Sequence, residues 1–170
     1  MTEGSRFEAE PVRFGERLAA SQAFSALFRE GMALVEETAA YLDGVGRTEA
    51  KALDRAVSLT YATESMRLTT RLMQLASWLL LHRAVKEGEM TLTQANREKT
   101  KVKLSAADPG TEDMLEKLPP QLQELIARSM TLQTKVRRLD TTIHAPVTER
   151  AAIGNPLVPQ LNRLKAAFER

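Results

Sequence analysis

From Thr48 to Gly88 nothing in the sequence obliges a helix to stop, and roughly 39 residues at 1.5 Å each make a rod of about 58 Å. Few folds accommodate such an element in a chain of 170 residues with 43% hydrophobic content, enough for one domain with a core, or one domain and a tail. Aromatics are only 5%, and Gly and Pro number 8 and 7, a composition that favours helices over a many-stranded sheet. The expected class is all-α.

Two apolar seams run along this long helix. One reads Tyr61, Ser65, Leu68, Leu72, Leu75, Leu79; the other reads Leu59, Ala62, Met66, Thr69, Met73, Ala76, Leu80. Two seams predict two neighbours, one on each, and hence a central position. The remaining stripe, Thr60, Glu64, Arg67, Arg71, Gln74 and Trp78, is then expected to face away from the core. A solvated face is the plain reading for the arginines. Trp78 suits either a cap on the end of the bundle or a partner or dimer contact, because Trp and Arg are the types most enriched at interface hot spots.

A shorter amphipathic pattern precedes this helix, from about Glu16 to Leu42, with Phe24, Phe28, Gly31, Val35 and Leu42 on one seam and Leu27, Leu34 and Tyr41 beside it. The glycines of "DGVGR" are expected to turn the chain. After "LPP", where Pro119 or Pro120 fits the first helical turn, Leu122, Leu125, Ser129, Leu132, Val136, Leu139 and Ile143 keep heptad spacing, widened by Ile126 and Met130. The architecture expected is an antiparallel three-helix bundle over residues 16–144, with the long helix central.

Residues 1–15 read as a flexible arm. Between the second and third helices, Thr91 and Gln94 suggest a capping box, and Arg97 to Lys103 is a basic run whose plain reading is a solvated loop or helix end. Prolines 146, 156 and 159 keep residues 145–170 out of the bundle, leaving a flexible C-terminal tail whose Leu157, Leu161, Leu164 and Phe168 form a candidate motif that folds on a partner.

Met1 to Ala50 holds nine acids against five bases, and the rest nineteen bases against thirteen acids. The interspersed acids argue against a nucleic-acid face. There is no cysteine, the amino terminus lacks a signal-peptide core, and the apolar cluster Trp78 to Leu81 is too short to span a bilayer, so a cytoplasmic protein is expected.

Catalytic constellations are missing from the pattern. His82 and His144 lack an acid three residues earlier, no phosphate loop or nucleophile elbow occurs, and the adjacent Glu36 and Glu37 point about 100° apart on a helix. No enzyme, cofactor or metal is expected. An interaction module and a small-ligand or nucleic-acid binder remain as classes of function.

Three stretches, "FREGMALVEETAAYLDG" (Phe28 to Gly44), "LTYATESMRLTTRLMQLASWLLLHRAV" (Leu59 to Val85) and "VRRLD" (Val136 to Asp140), resemble the bacterial family typified by RcdA, the regulator of CtrA degradation. The similarity spans about Phe14 to Ile143. The resemblance implies a dimeric three-helix bundle serving as a non-catalytic adaptor for the ClpXP protease in cell-cycle control. Implied partners are ClpX, a CpdR-like response regulator, a PopA-like cyclic-di-GMP receptor and CtrA-like cargo, with recruitment to the cell pole. The alternative is a dimeric helical scaffold, or a weak nucleic-acid or nucleotide-responsive binder, unrelated to proteolysis.

Overall fold

The computed structural model describes residues 14–99 and 112–144, and all their regular structure is helical: α1 Phe14–Asp43, α2 Val45–Ala52, α3 Arg55–Lys86, α4 Leu92–Lys99, α5 Glu112–Leu115 and α6 Pro120–His144. Among the described residues, those up to Arg138 form one compact unit, and those from Leu139 belong to a second. No described helix is long and apolar enough to cross a membrane.

Helix α1 buries Phe24, Leu27, Gly31, Leu34, Thr38 and Tyr41, alternating steps of three and four. That spacing keeps one narrow stripe toward a neighbour. Gly31 lets the neighbour come close: a Cβ there would lie 2.5 Å from Leu79 Cδ1. At the end of α1, Gly44 donates its N–H to Ala40 and Tyr41 carbonyls, and α2 begins one residue later. The second glycine of "DGVGR" is not a turn residue. Gly46 is helical and buried, and a Cβ would sit 2.6 Å from Tyr61 Oη and 2.8 Å from the Tyr41 carbonyl.

The long rod expected from Thr48 is broken at Leu53–Asp54. Asp54 adopts extended backbone, and its Oδ1 accepts the Val57 N–H at 2.9 Å, satisfying one of the four unpaired donors at a helix start. An N-cap inside a continuous apolar pattern ends one helix and starts another, which periodicity alone does not register. At the far end, Gly88 at φ 77° forms a Schellman cap, with Gly88 N donating to Val85 O and Glu89 N to Ala84 O. The expected capping box is present: Thr91 N–H donates to Gln94 Oε1 and Gln94 N–H to Thr91 Oγ1, opening α4.

Contacts fix the helix directions. From α1 to α3, Ser25 meets Lys86, Gly31 meets Leu79, and Tyr41 lies by Tyr61, so these two run antiparallel. From α1 to α6, Glu30 pairs with Lys135 at 2.9 Å and Glu37 with Arg128 at 2.7 Å, again antiparallel. It follows that α3 and α6 run parallel, and the strictly antiparallel order expected from the sequence does not hold. Chain length explains the difference, because the connection from Glu87 to Pro119 carries α4 and α5 and is long enough to bring the chain back before α6 starts. Helix α3 still has the most neighbours, packing on α1, α2, α4 and α5 and reaching α6 through Arg71.

The core lies between these helices. Leu68, Leu72, Leu75 and Leu79 of α3 are buried, as are Leu122, Leu125, Ile126, Leu132 and Val136 of α6, the seam read from the heptads. Met130, expected to widen that seam, stands at its exposed edge.

Candidate interaction surfaces

The stripe expected outside lies inside. Trp78 is 2% exposed, Glu64 6% and Arg71 8%, while Arg67 and Gln74 are half-buried. Trp78 packs with Phe24 at 6.2 Å between ring centroids and stacks on His82 at 4.0 Å. His82 Nδ1 lies 3.0 Å from the Trp78 carbonyl, which can only accept, so Nδ1 carries the proton in this contact. Arg71 Nη1 donates to Ser129 Oγ at 2.8 Å, and Ser129 Oγ donates to the Ile126 carbonyl at 2.7 Å. Burial pushes the Arg71 guanidinium below its ordinary pKa, partly offset by the charge of Glu64. Glu64 in turn pairs with Arg67 at 2.8 Å. Of the partner contact expected of Glu64, Arg67, Arg71, Gln74 and Trp78, the first, third and fifth are therefore buried within the chain, and only Arg67 and Gln74 keep some exposure. Its polar members are satisfied within the fold, and the large ring gains more from burial than methionine's three-carbon thioether does.

The second apolar seam of α3, expected against a third element, is the one left outside. Leu59 is 70% exposed, Met66 72%, Met73 66% and Leu80 53%. Ala62, Thr69 and Ala76 alternate with them at heptad spacing. The hydroxyls along this face are turned back on the helix, Thr63 Oγ1 to the Leu59 carbonyl, Thr69 Oγ1 to Ser65 and Ser77 Oγ to Met73. What faces outward is hydrocarbon and sulfur. A contiguous apolar row of this kind marks an interaction site more than scattered exposed leucines do.

A second surface is a groove of about 520 Å³ between the middle of α1 and the last turn of α3. Phe24, Phe28, Met32 and Ala33 line it, with Arg29, Arg83 and Lys86 on its rim. The Arg83 guanidinium lies 5.0 Å over the Phe28 ring and the Lys86 ammonium 5.8 Å over Phe24. Sequence reading placed the two phenylalanines on the core seam, and Phe24 is indeed buried while Phe28 is half-buried. The groove could have been suspected only from knowing that α3 ends opposite Ser25.

Glu36 lines this groove, and Glu37 pairs with Arg128, so the adjacent carboxylates serve different neighbours. Among the described residues no three His, Cys, Asp or Glu side chains are grouped to hold a metal. Of the basic run Arg97 to Lys103, the first three residues end α4. The rest of it, and the tail motif Leu157, Leu161, Leu164 and Phe168, lie outside the described residues.

The family described as "Protein of unknown function (DUF1465)" matches residues 15–168, a span that takes in the tail as well as the helices. No curated protein matches. The crystal structure of RcdA from Caulobacter crescentus CB15 is similar at a TM-score of 0.60 and 50% sequence identity, covering 72% of this chain and 92% of that one. With most of the sequence inside the family's span and half of the aligned residues identical to RcdA, the chain belongs to the DUF1465 family, the family of RcdA.

Proposed function

We propose that this protein is a non-catalytic adaptor in regulated proteolysis, helping to deliver CtrA-like regulatory proteins to the ClpXP protease. The observation that carries the reading is the 50% identity to RcdA over 92% of that chain. The apolar row on α3 and the groove beside it supply what an adaptor needs, surfaces for other proteins. In this reading a CpdR-like response regulator and a PopA-like receptor are the upstream partners, and residues 145–170 hold cargo through Leu157, Leu161, Leu164 and Phe168. The site of action is the cytoplasm, at the pole where the protease gathers.

The same reading includes a homodimer, and α3 supports it better than the Trp78 stripe. Leu59, Ala62, Met66, Thr69, Met73, Ala76, Leu80 reads nearly the same in both directions about Thr69. Two copies related by a two-fold axis at Thr69 and paired antiparallel would set Leu59 near the partner's Leu80, Ala62 near the partner's Ala76 and Met66 near the partner's Met73, an isologous contact.

The decisive experiment is reconstituted degradation of a CtrA-like substrate by ClpXP, with the response regulator and the receptor present. Cargo half-life should shorten on adding this protein. An unchanged half-life, together with no co-purification of ClpX from lysate, rejects the adaptor reading.

A further inference from the structure

The groove between α1 and α3 has a charge pattern that its apolar floor does not require. Arg83 is matched by Glu87, its Nε donating to Oε1 at 2.8 Å. Lys86 instead donates to the neutral Ser25 Oγ at 2.8 Å, and Arg29 has no ion pair among the described residues. These two cations, with no ion pair among the described residues, sit at the end of the groove where α3 stops, whereas Glu36 stands at the other end, about two turns along α1. Between the two ends lie the half-buried Phe28 and Met32. The groove is therefore apolar in the middle, positive at one end and negative at the other.

We propose that this groove binds a short peptide segment of a partner protein in which an acidic residue stands beside a large apolar one. The carboxylate lies between Arg29 and Lys86, and the apolar side chain covers Phe28 and Met32. Glu36 sets the direction by repelling an acid at the far end. A volume of about 520 Å³ falls in the range of roughly 300 to 1,000 Å³ typical of sites for compact ligands, suited to a few side chains and too small for a helix face. This chain's own tail, residues 145–170, has one acid beside an apolar residue, Glu169 after Phe168, but its balance is of the wrong sign, with Arg150, Arg163, Lys165 and Arg170 against Glu149 and Glu169. The inference deepens the adaptor reading by naming the chemistry of a segment that an adaptor would hold.

The test uses the full chain and no protease, so its failure leaves the degradation assay to judge the adaptor reading. Fluorescein-labelled Gly-Asp-Asp-Phe-Leu-Gly is titrated by anisotropy beside a twin with Lys for Asp and a twin with Ser for Phe and Leu. The acidic peptide should saturate, both twins should bind about tenfold or more weakly, and added salt should weaken binding, since exposed ion pairs are screened. Combining Arg29→Glu with Lys86→Glu should reverse the preference toward the lysine twin, while Lys51→Glu, remote on α2, should change nothing. Both groove substitutions are at exposed positions, and circular dichroism checks that the helices persist. Equal binding of the acidic and lysine peptides overturns the proposal, as does acidic-peptide binding that ignores the reversal. A change in sedimentation on reversal, without peptide binding, would assign the groove to a second copy and also overturn it. Peptide binding seen only after Phe7→Ser and Glu8→Lys would assign it to this chain's own amino-terminal segment, with the same consequence.

Discussion

Trp78 joins α3 to α1 through Phe24 and is nearly sealed from solvent. Trp78→Ala should cost about 3 to 5 kcal/mol in urea denaturation, the range for truncating a large packed aromatic. A loss under about 0.5 kcal/mol, the scale of surface changes, would contradict its burial. Gly31 tests the same packing from the opposite helix. Gly31→Ala gains about 1 kcal/mol of helix propensity but forces a methyl against fully buried Leu79, and overpacking typically costs about 1 to 3 kcal/mol. A lower melting temperature is expected, and in a Leu79→Ala background the loss should vanish or invert. Tyr41 adds a pH signature. Burial, helped by its 2.6 Å hydrogen bond to Glu49, pushes the phenol well above its ordinary pKa. The unfolded chain then releases this proton near pH 10 while the folded chain keeps it, so this contribution is complete below about pH 10 and lost as pH rises further. Stability measured between about pH 8 and pH 11 should fall, and less steeply in Tyr41→Phe.

The helices are defined more by their ends than by their interiors. Asp54 separates α2 from α3, and losing its side-chain acceptor should cost about 0.5 to 2 kcal/mol in Asp54→Ala. Asp54→Asn, which keeps an acceptor oxygen, should cost much less. Equal losses in the two variants would show that something other than the cap sets the break. The capping box of Thr91 and Gln94 and the Schellman cap at Gly88 apply the same logic on either side of the short connection from α3 to α4. These end motifs bend the path so that α4 can lie back on α3 and bury Ala95 completely.

At the scale of the molecule, four large apolar side chains in one exposed row are the feature a monomer explains least. In the proposed two-fold pair, Met66 and Met73 lie on either side of the axis. Met66→Glu or Met73→Glu should therefore shift dimer to monomer in sedimentation velocity at low micromolar concentration while leaving the melting curve of the helices within about 0.5 kcal/mol, as expected of a surface substitution. Trp78→Ala should behave oppositely, destabilising the fold of each copy. If both methionine variants sediment as the parent does, the α3 row is not the contact between copies.

Helical class, the α6 seam from Leu122 to Val136 and the Thr91–Gln94 capping box were legible in the sequence, because each depends on residues a turn or two apart. Family membership was legible too, carried by three local stretches. The tertiary structure alone decided which of two equally regular stripes on α3 turns inward. Leu59, Met66, Met73 and Leu80 have the spacing of a buried seam, and Glu64, Arg71 and Trp78 include the charges of an exposed one. The choice was made by pairings with no local signature: Trp78 against Phe24, Arg71 against Ser129, and Leu79 in the space left by Gly31. Periodicity gives the width of a helix's apolar face, whereas the rotation of that face about the axis, like the parallel run of α3 and α6, depends on which distant side chains fill the space beside it.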